Sequence, residues 1–278
     1  MNAIPACGLA LLLTLPLAAQ TTPAPAASTS ANNQRPARVA TQTGAPSAGS
    51  SRAGVESDCQ ACQTQIEAMQ AKLADWAQLD RYRADAAALP LPAPSEQRVV
   101  FYGDSITDAW GHGADFFPGK PYVNRGISGQ TTPQMLVRFQ QDVVHLKPAA
   151  VVILAGTNDI AGNTGPETPE MIEDNFVSMA AIAKQGGIRL VIASILPAFA
   201  YPWKPGIEPA EEIRTLNSWL KDFCQRDGDV YLDYYTPMAD AAGGMKPGLS
   251  KDGVHPTPQG YAIMAPLAEQ AIAQALKL

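Results

Sequence analysis

Four short patches, far apart along the chain, hold residue types that move acyl groups: Gly103-Asp104-Ser105, Gly126-Ile127-Ser128-Gly129, Gly156-Thr157-Asn158-Asp159 and Asp252-Gly253-Val254-His255. Acyl transfer to a hydroxyl requires a nucleophile, a base, a carboxylate that orients the base, and donors that meet the oxyanion as it forms. Ser105 offers the hydroxyl. Asp252 stands three residues before His255 in a polar loop, and the capped helix start at Thr257-Pro258 would fix that loop. His255 is therefore the expected base and Asp252 its partner. Gly129 carries no side chain, so its amide can approach a bound oxygen closely.

Each patch also has a plainer reading. Gly-Asp-Ser in isolation is a helix cap, Gly129 is a turn residue, and Asn and Asp suit turns after a strand. Asn158 ends the hydrophobic run that begins at Ile153, and a buried amide there needs either a structural partner or a substrate oxygen. His112, in a Gly-flanked loop, could line a pocket, whereas His145 ends an amphipathic pattern and suits the surface or a helix C-terminus. Rival chemistries find no pattern. There is no Gly-x-Ser-x-Gly elbow, and Gly113 to Gly119-Lys120 has the wrong spacing for a phosphate loop and lacks the Ser or Thr that follows. No His and Cys cluster has metal-ligand spacing, so no metal or cofactor is expected.

Apolar runs alternate with helical patterns in the stretch that must position these residues. Arg98 to Tyr102, Tyr122 to Asn124, Ala149 to Ala155, Arg189 to Ile195 and Val230 to Leu232 read as strands buried on both faces. Thr132-Pro133, Thr168-Pro169 and Thr257-Pro258 each place a hydroxyl before a proline at a helix start, and Gly186-Gly187 stops the second of these helices. The fold class that follows is α/β, with about five parallel strands between helices on both sides and right-handed connections. Ligands of such sheets bind at the carboxyl ends of the strands, the edge to which Asp104, Ser105, Gly129 and Asn158 should all come. Tyr201, Trp203 and Met245 fall on loops after later strands and either shape a pocket or cover the core. Asp104, Tyr201 and Trp203 are the candidate substrate contacts.

The chain before this domain divides into three parts. Residues 1–19 hold the apolar run Leu9 to Leu15 and end in Leu17-Ala18-Ala19, too short to span a bilayer. They read as a secretory signal, despite lacking Lys or Arg near Met1, with an uncleaved anchor as the alternative. Residues 20–57, rich in Ala, Pro, Thr and Ser, read as a disordered linker, a tether or a simple leader. Residues 58–89 read as helical, with Cys59, Cys62, Ile66, Met69, Leu73 and Trp76 forming a seam that fails at Asp80. The seam either packs on the chain's own catalytic domain or joins two copies as a homodimer. Pro90, Pro92 and Pro94 end the segment, so the catalytic domain spans residues 96–278. Loss of Cys7 with the signal would leave Cys59, Cys62 and Cys224, an odd number in an oxidising compartment. The location expected is secreted or periplasmic, or held at the cell envelope. A formal charge of −6 without a basic cluster argues against nucleic acid and favours small or neutral substrates.

From about Arg98 to Leu276 the chain resembles the SGNH, or GDSL-type, hydrolases. Gly103-Asp104-Ser105 matches the first block of that family, Gly129 the second block's glycine, Gly156-Thr157-Asn158-Asp159 the third, and Asp252 with His255 the last. The resemblance implies Ser105 as nucleophile, an oxyanion hole made of the Ser105 and Gly129 amides with the Asn158 side chain, and a flavodoxin-like α/β/α esterase without metal or cofactor. Gln130 departs from the pattern, since many relatives carry an acid after the glycine. The substrates implied are small esters: lysophospholipids, thioesters, acetylated sugars or simple acyl esters. Block spacing looks most like that of bacterial lysophospholipase-type and platelet-activating-factor-acetylhydrolase-like members. A different class of function, a secreted non-catalytic protein binding acylated glycans on the same scaffold, would explain the leader and seam without turnover.

Overall fold

The computed structural model describes residues 52–112 and 116–277. The expected signal and nearly all of the expected linker lie outside the described residues. Five strands, β1 (Val99–Gly103), β2 (Tyr122–Gly126), β3 (Ala150–Leu154), β4 (Arg189–Ala193) and β5 (Val230–Leu232), form one sheet in the order β2-β1-β3-β4-β5. Every pairing is parallel, with Gly103 level with Gly126 on one side and Leu154 on the other. Three strand ends, each followed by one of the chemical patches, are thereby aligned at one edge.

Alternating side chains of these strands feed two cores. Val100, Tyr102, Val151, Ile153, Leu190 and Ile192 face a layer formed by α4 (Thr132–Asp142), α6 (Pro169–Gln185) and α7 (Ala210–Asp227). Val99, Phe101, Val152, Leu154, Val191 and Leu232 face the opposite layer, where α9 (Pro258–Ala275) contributes Tyr261, Met264, Ala268 and Ile272. Since β1, β3 and β4 bury apolar side chains on both faces, their sequences read as continuous hydrophobic runs rather than alternations. The result is a three-layer α/β/α fold.

Helix starts follow the threonines closely. Thr168 caps α6 and Thr257 caps α9, accepting from Met171 N–H at 3.4 Å and Gly260 N–H at 3.3 Å. At α4 the cap is Thr131, one residue earlier than the Thr-Pro pattern predicts; Gln134 Oε1 accepts the Thr131 N–H at 3.1 Å. Thr132 is released from capping because Asp159 takes both its amide and its hydroxyl.

The helical segment ahead of the sheet departs most from expectation. Helix α1 (Arg52–Ala74) begins before residue 58, in keeping with the absence of proline between Arg52 and Leu89. It ends at Ala74, and a turn leads to the short α2 (Arg83–Ala88). The seam is not packed on the catalytic domain: Ile66, Met69 and Leu73 are exposed, Leu73 by 74%. Docking occurs instead just after the helix, where Ala77 and Tyr82 are buried. Cys62 is exposed and Cys224 lies on the core face of α7, where burial pushes its thiol up to about 12. Among the described residues no helix is long and apolar enough to cross a membrane.

Candidate active site

Asp104 leaves β1 in a non-helical conformation and caps α3 (Ser105–Asp108), its Oδ1 accepting the Ile106 N–H at 2.9 Å. Ser105 is therefore the first residue of a helical turn at the sheet's carboxyl edge, with its amide pointing out of the turn rather than into it. Tight packing holds the turn in place. A side chain at Gly126 would meet the Asp108 amide at 2.1 Å, so only glycine lets β2 lie this close under α3. Asp108 Oδ2 then accepts from both the amide (3.2 Å) and the hydroxyl (2.7 Å) of Ser128, tying the Gly129 loop to the Ser105 helix. Gly129 itself has φ +80, a left-handed conformation that glycine adopts without strain, and open space where a Cβ would stand.

His255 arrives 150 residues later. Its Nε2 lies 2.9 Å from Ser105 Oγ, and its Nδ1 lies 2.6 Å from Asp252 Oδ2. Asp252 Oδ1 accepts the amides of Val254 (3.0 Å) and His255 (2.8 Å) and the Ser250 hydroxyl (3.0 Å), so the carboxylate organises the loop that carries the imidazole. Burial alone would raise its pKa; the hydrogen bonds from the His255 ring and from these two amides outweigh that and hold it well below the usual carboxylate range. An ionised carboxylate only accepts, which places the ring proton on Nδ1 and leaves Nε2 free to accept from Ser105.

Asn158 is the second residue of the buried turn α5 (Thr157–Ile160) after β3. Its Nδ2 donates to Asp104 Oδ2 at 3.2 Å and to the Gln130 carbonyl at 3.0 Å, while its Oδ1 accepts from Asn163 Nδ2 at 2.8 Å. The amide thus links the Ser105 loop to the Gly129 loop. The Ser105 and Gly129 amides donate to no other protein group among the described residues. Burial pushes the Asp104 carboxyl up to about 6, partly offset by the Ile106 amide and the nearby His255.

The remaining candidates separate. Trp203 reaches the site: its ring is 6.2 Å from that of His255 and stacks on Tyr201 at 5.1 Å. Tyr201 is buried beneath it, and Met245, partly buried, packs against the core on the α9 side. His112 and His145 are exposed and do not hydrogen-bond to Ser105.

Two positioning residues escape a reading by motif. Asn163 donates to the Gly129 carbonyl (3.3 Å) and to Asn158, and accepts the Trp203 indole N–H at 3.0 Å, so one amide connects three site residues. Arg138, fully buried, donates to the carbonyls of Gly103 (3.0 Å) and Arg125 (2.9 Å), to Gln130 Oε1 and to Asp142 (3.1 Å). Gln130, the departure from the family pattern, is thus an acceptor for this guanidinium. Its adjacency to Gly129 was the only sequence signal. Among the described residues no group of His, Cys, Asp and Glu could hold a metal ion.

The model of the GDSL-like lipase/acylhydrolase family matches residues 101–263. The solved structure of a GDSL-like lipase from Bacteroides thetaiotaomicron shares 43% identity, covers 72% of this chain and 98% of its own, and superposes with a TM-score of 0.70. An acetylxylan esterase from Geobacillus stearothermophilus is 25% identical over 202 residues, 62% of this chain and 91% of that enzyme. The lipoprotein YqeF of Bacillus subtilis is 33% identical over 78 residues, 27% of this chain and about a third (32%) of the lipoprotein. With a family match that spans more than half the chain and encloses Ser105, Gly129 and Asn158, the protein belongs to the GDSL-like lipase/acylhydrolase family and is a carboxylic ester hydrolase.

Proposed function

We propose that the protein is an exported serine esterase that cleaves short acyl esters, acetyl esters foremost, through an acyl-enzyme on Ser105. The observation that carries the reading is the continuous line from Ser105 Oγ through His255 to Asp252, with spacings of 2.9 and 2.6 Å. His255 Nε2 takes the hydroxyl proton as Oγ attacks the ester carbonyl, and Asp252 steadies the imidazolium that results. The proton passes to the departing alcohol. Water then repeats the sequence on the acyl-enzyme and releases the acid.

The oxyanion is met by the Ser105 and Gly129 amides, which have no competing partner among the described residues. Asn158 joins them by exchanging its longer bond, the one at 3.2 Å to Asp104, for the developing charge. Each donor is worth about 3 kcal/mol of barrier. Asp104 is a positioning residue in this scheme, holding the first turn of α3 and the amide of Asn158.

Short acyl groups and a polar alcohol are favoured because Trp203 and buried Tyr201 crowd the region around His255, and the acetylxylan esterase likeness points the same way. Export rests on the N-terminal sequence and on the match to a lipoprotein. A non-catalytic glycan-binding protein would have no use for a serine held within hydrogen-bond reach of an oriented imidazole. Ser105→Ala should abolish hydrolysis of p-nitrophenyl acetate and labelling by a fluorophosphonate with the thermal unfolding curve unchanged. Labelling retained by that variant would assign the nucleophile elsewhere.

A further inference from the structure

The family match begins at Phe101, yet one wall of the cleft beside the Gly129 loop comes from chain that precedes it. This cleft, about 770 Å³, has Lys72, Asp75 and Trp76 on one side and Ser128, Gly129 and Asn163 on the other. The wall is held by three glutamine amides that recognise its backbone. Gln134 Nε2 donates to the Trp76 carbonyl at 2.6 Å, Gln130 Nε2 to that of Ala77 at 2.8 Å, and Gln141 Nε2 to that of Leu79 at 2.7 Å. Asp75 closes the turn by accepting the amides of Leu79 (2.7 Å) and Asp80 (3.1 Å), and Gln78 is kept at φ 55, a left-handed conformation costly for a residue with a side chain. Chain held this firmly has a defined surface to present.

That surface is an indole. Trp76 is 39% exposed in the cleft, and Trp203, equally exposed, is bonded to Asn163, which lines the same cleft and reaches the Gly129 loop. Around the indole the cleft carries a carboxylate, an ammonium, hydroxyls and amides. That combination suits a pyranose ring. The C–H bonds on one face of a sugar lie against the electron-rich face of an aromatic ring, and the hydroxyls at its edge need donors and acceptors such as Asp75, Ser128 and Lys72.

We propose that residues 71–78 and the loops facing them form a carbohydrate subsite, in which Trp76 stacks on a sugar ring of an acylated oligosaccharide whose ester is presented to Ser105. The segment ahead of the family domain thereby sets the substrate class. This deepens, and rests on, the serine-esterase reading above.

Two independent measurements test it. With acetylated xylotetraose, Trp76→Ala should lower kcat/KM about tenfold more than with p-nitrophenyl acetate, mostly through KM, and Trp76→Phe should restore part of the loss. Leu73→Ala, exposed on the preceding helix α1 and outside the cleft, should leave the ratio unchanged. Gln134 grips Trp76 through its carbonyl, so the substitution leaves that hydrogen bond available. Separately, deacetylated xylotetraose should shift the tryptophan fluorescence of Ser105→Ala and fail to do so in Ser105→Ala/Trp76→Ala. Equal losses on both esters, an unchanged ratio, or a loss confined to 1-palmitoyl lysophosphatidylcholine would overturn the subsite while the esterase stands. Absence of any ester hydrolysis would defeat the esterase reading, and the fluorescence titration would still decide the subsite.

Discussion

Asp252 accepts four hydrogen bonds, three from its own loop and one from the His255 ring, and therefore stays ionised wherever the enzyme could work. Because its folded pKa is depressed, its contribution to stability is present above the ordinary carboxylate pKa and is lost only as pH falls through the lower folded value. Asp252→Asn keeps the shape but inverts the tautomer it imposes, so kcat should fall about 10³- to 10⁴-fold with a small change in KM, measurable with p-nitrophenyl acetate. Asn158→Ala should cost about 10²- to 10³-fold in kcat, together with some stability, since Asp104 and the Gln130 carbonyl lose a donor. Asp104 has the opposite linkage. Burial raises its carboxyl to about 6, so the folded state holds a proton that the unfolded chain has released, and stability falls as pH rises from about 4 through 6. Urea unfolding of wild type and Asp104→Asn should show their stability difference moving in the variant's favour by on the order of 3 kcal/mol across that window. A pH-independent difference would assign Asp104 an ordinary pKa.

At the scale of elements, the site is an assembly of three strand ends locked together by α4. Arg138 reaches from that helix to the ends of β1 and β2 and, through Gln130, to the loop that bears Gly129. Its guanidinium also lies 4.2 Å from the centroid of the Tyr102 ring. Removing one partner from a buried charge pair leaves the other uncompensated, so Arg138→Met should lower stability by about 3–5 kcal/mol and reduce kcat in the fraction that remains folded, as checked by urea unfolding alongside burst titration. Nothing in the sequence distinguishes Arg138 from a solvated arginine on an amphipathic helix, because two of its four partners are backbone carbonyls, which every residue carries, and Asp142 one turn on would equally suit a surface pair. The shift of the α4 cap from Thr132 to Thr131 has the same origin: Asp159, 27 residues away, claims the second threonine. Strands, by contrast, were readable to within a residue or two, since burial on both faces writes an apolar run directly into the chain.

For the whole molecule, the segment ahead of the sheet is the least expected part. The helix seam stands exposed at Ile66, Met69 and Leu73, whereas the turn that follows is docked through Trp76, Ala77, Leu79 and Tyr82, whose hydroxyl donates to the Gly126 carbonyl. A chain shortened to begin at Ser95 should lose about 3–5 kcal/mol relative to one beginning at Arg52, from the buried Tyr82 and Ala77 side chains and three unmade amide bonds, seen as a lower urea midpoint. It should also favour p-nitrophenyl acetate over acetylated oligosaccharide, since one wall of the cleft departs with the segment.

The amino-acid sequence alone named the candidates and the frame: a hydroxyl and three oxyanion-hole residues at the ends of strands that pair in parallel, and an imidazole with its carboxylate in a loop before the last helix. These are local properties, written in residue type, turn preference and hydrophobic period. Tertiary structure decided which donors are already engaged, as at Asn158, what ties the catalytic loops together, as at Arg138 and Asn163, and which part of the leading helix meets the domain. Those outcomes depend on partners brought together from distant positions, and at each of these residues at least one partner is a backbone carbonyl, which leaves no mark on the identity of the residue that bears it.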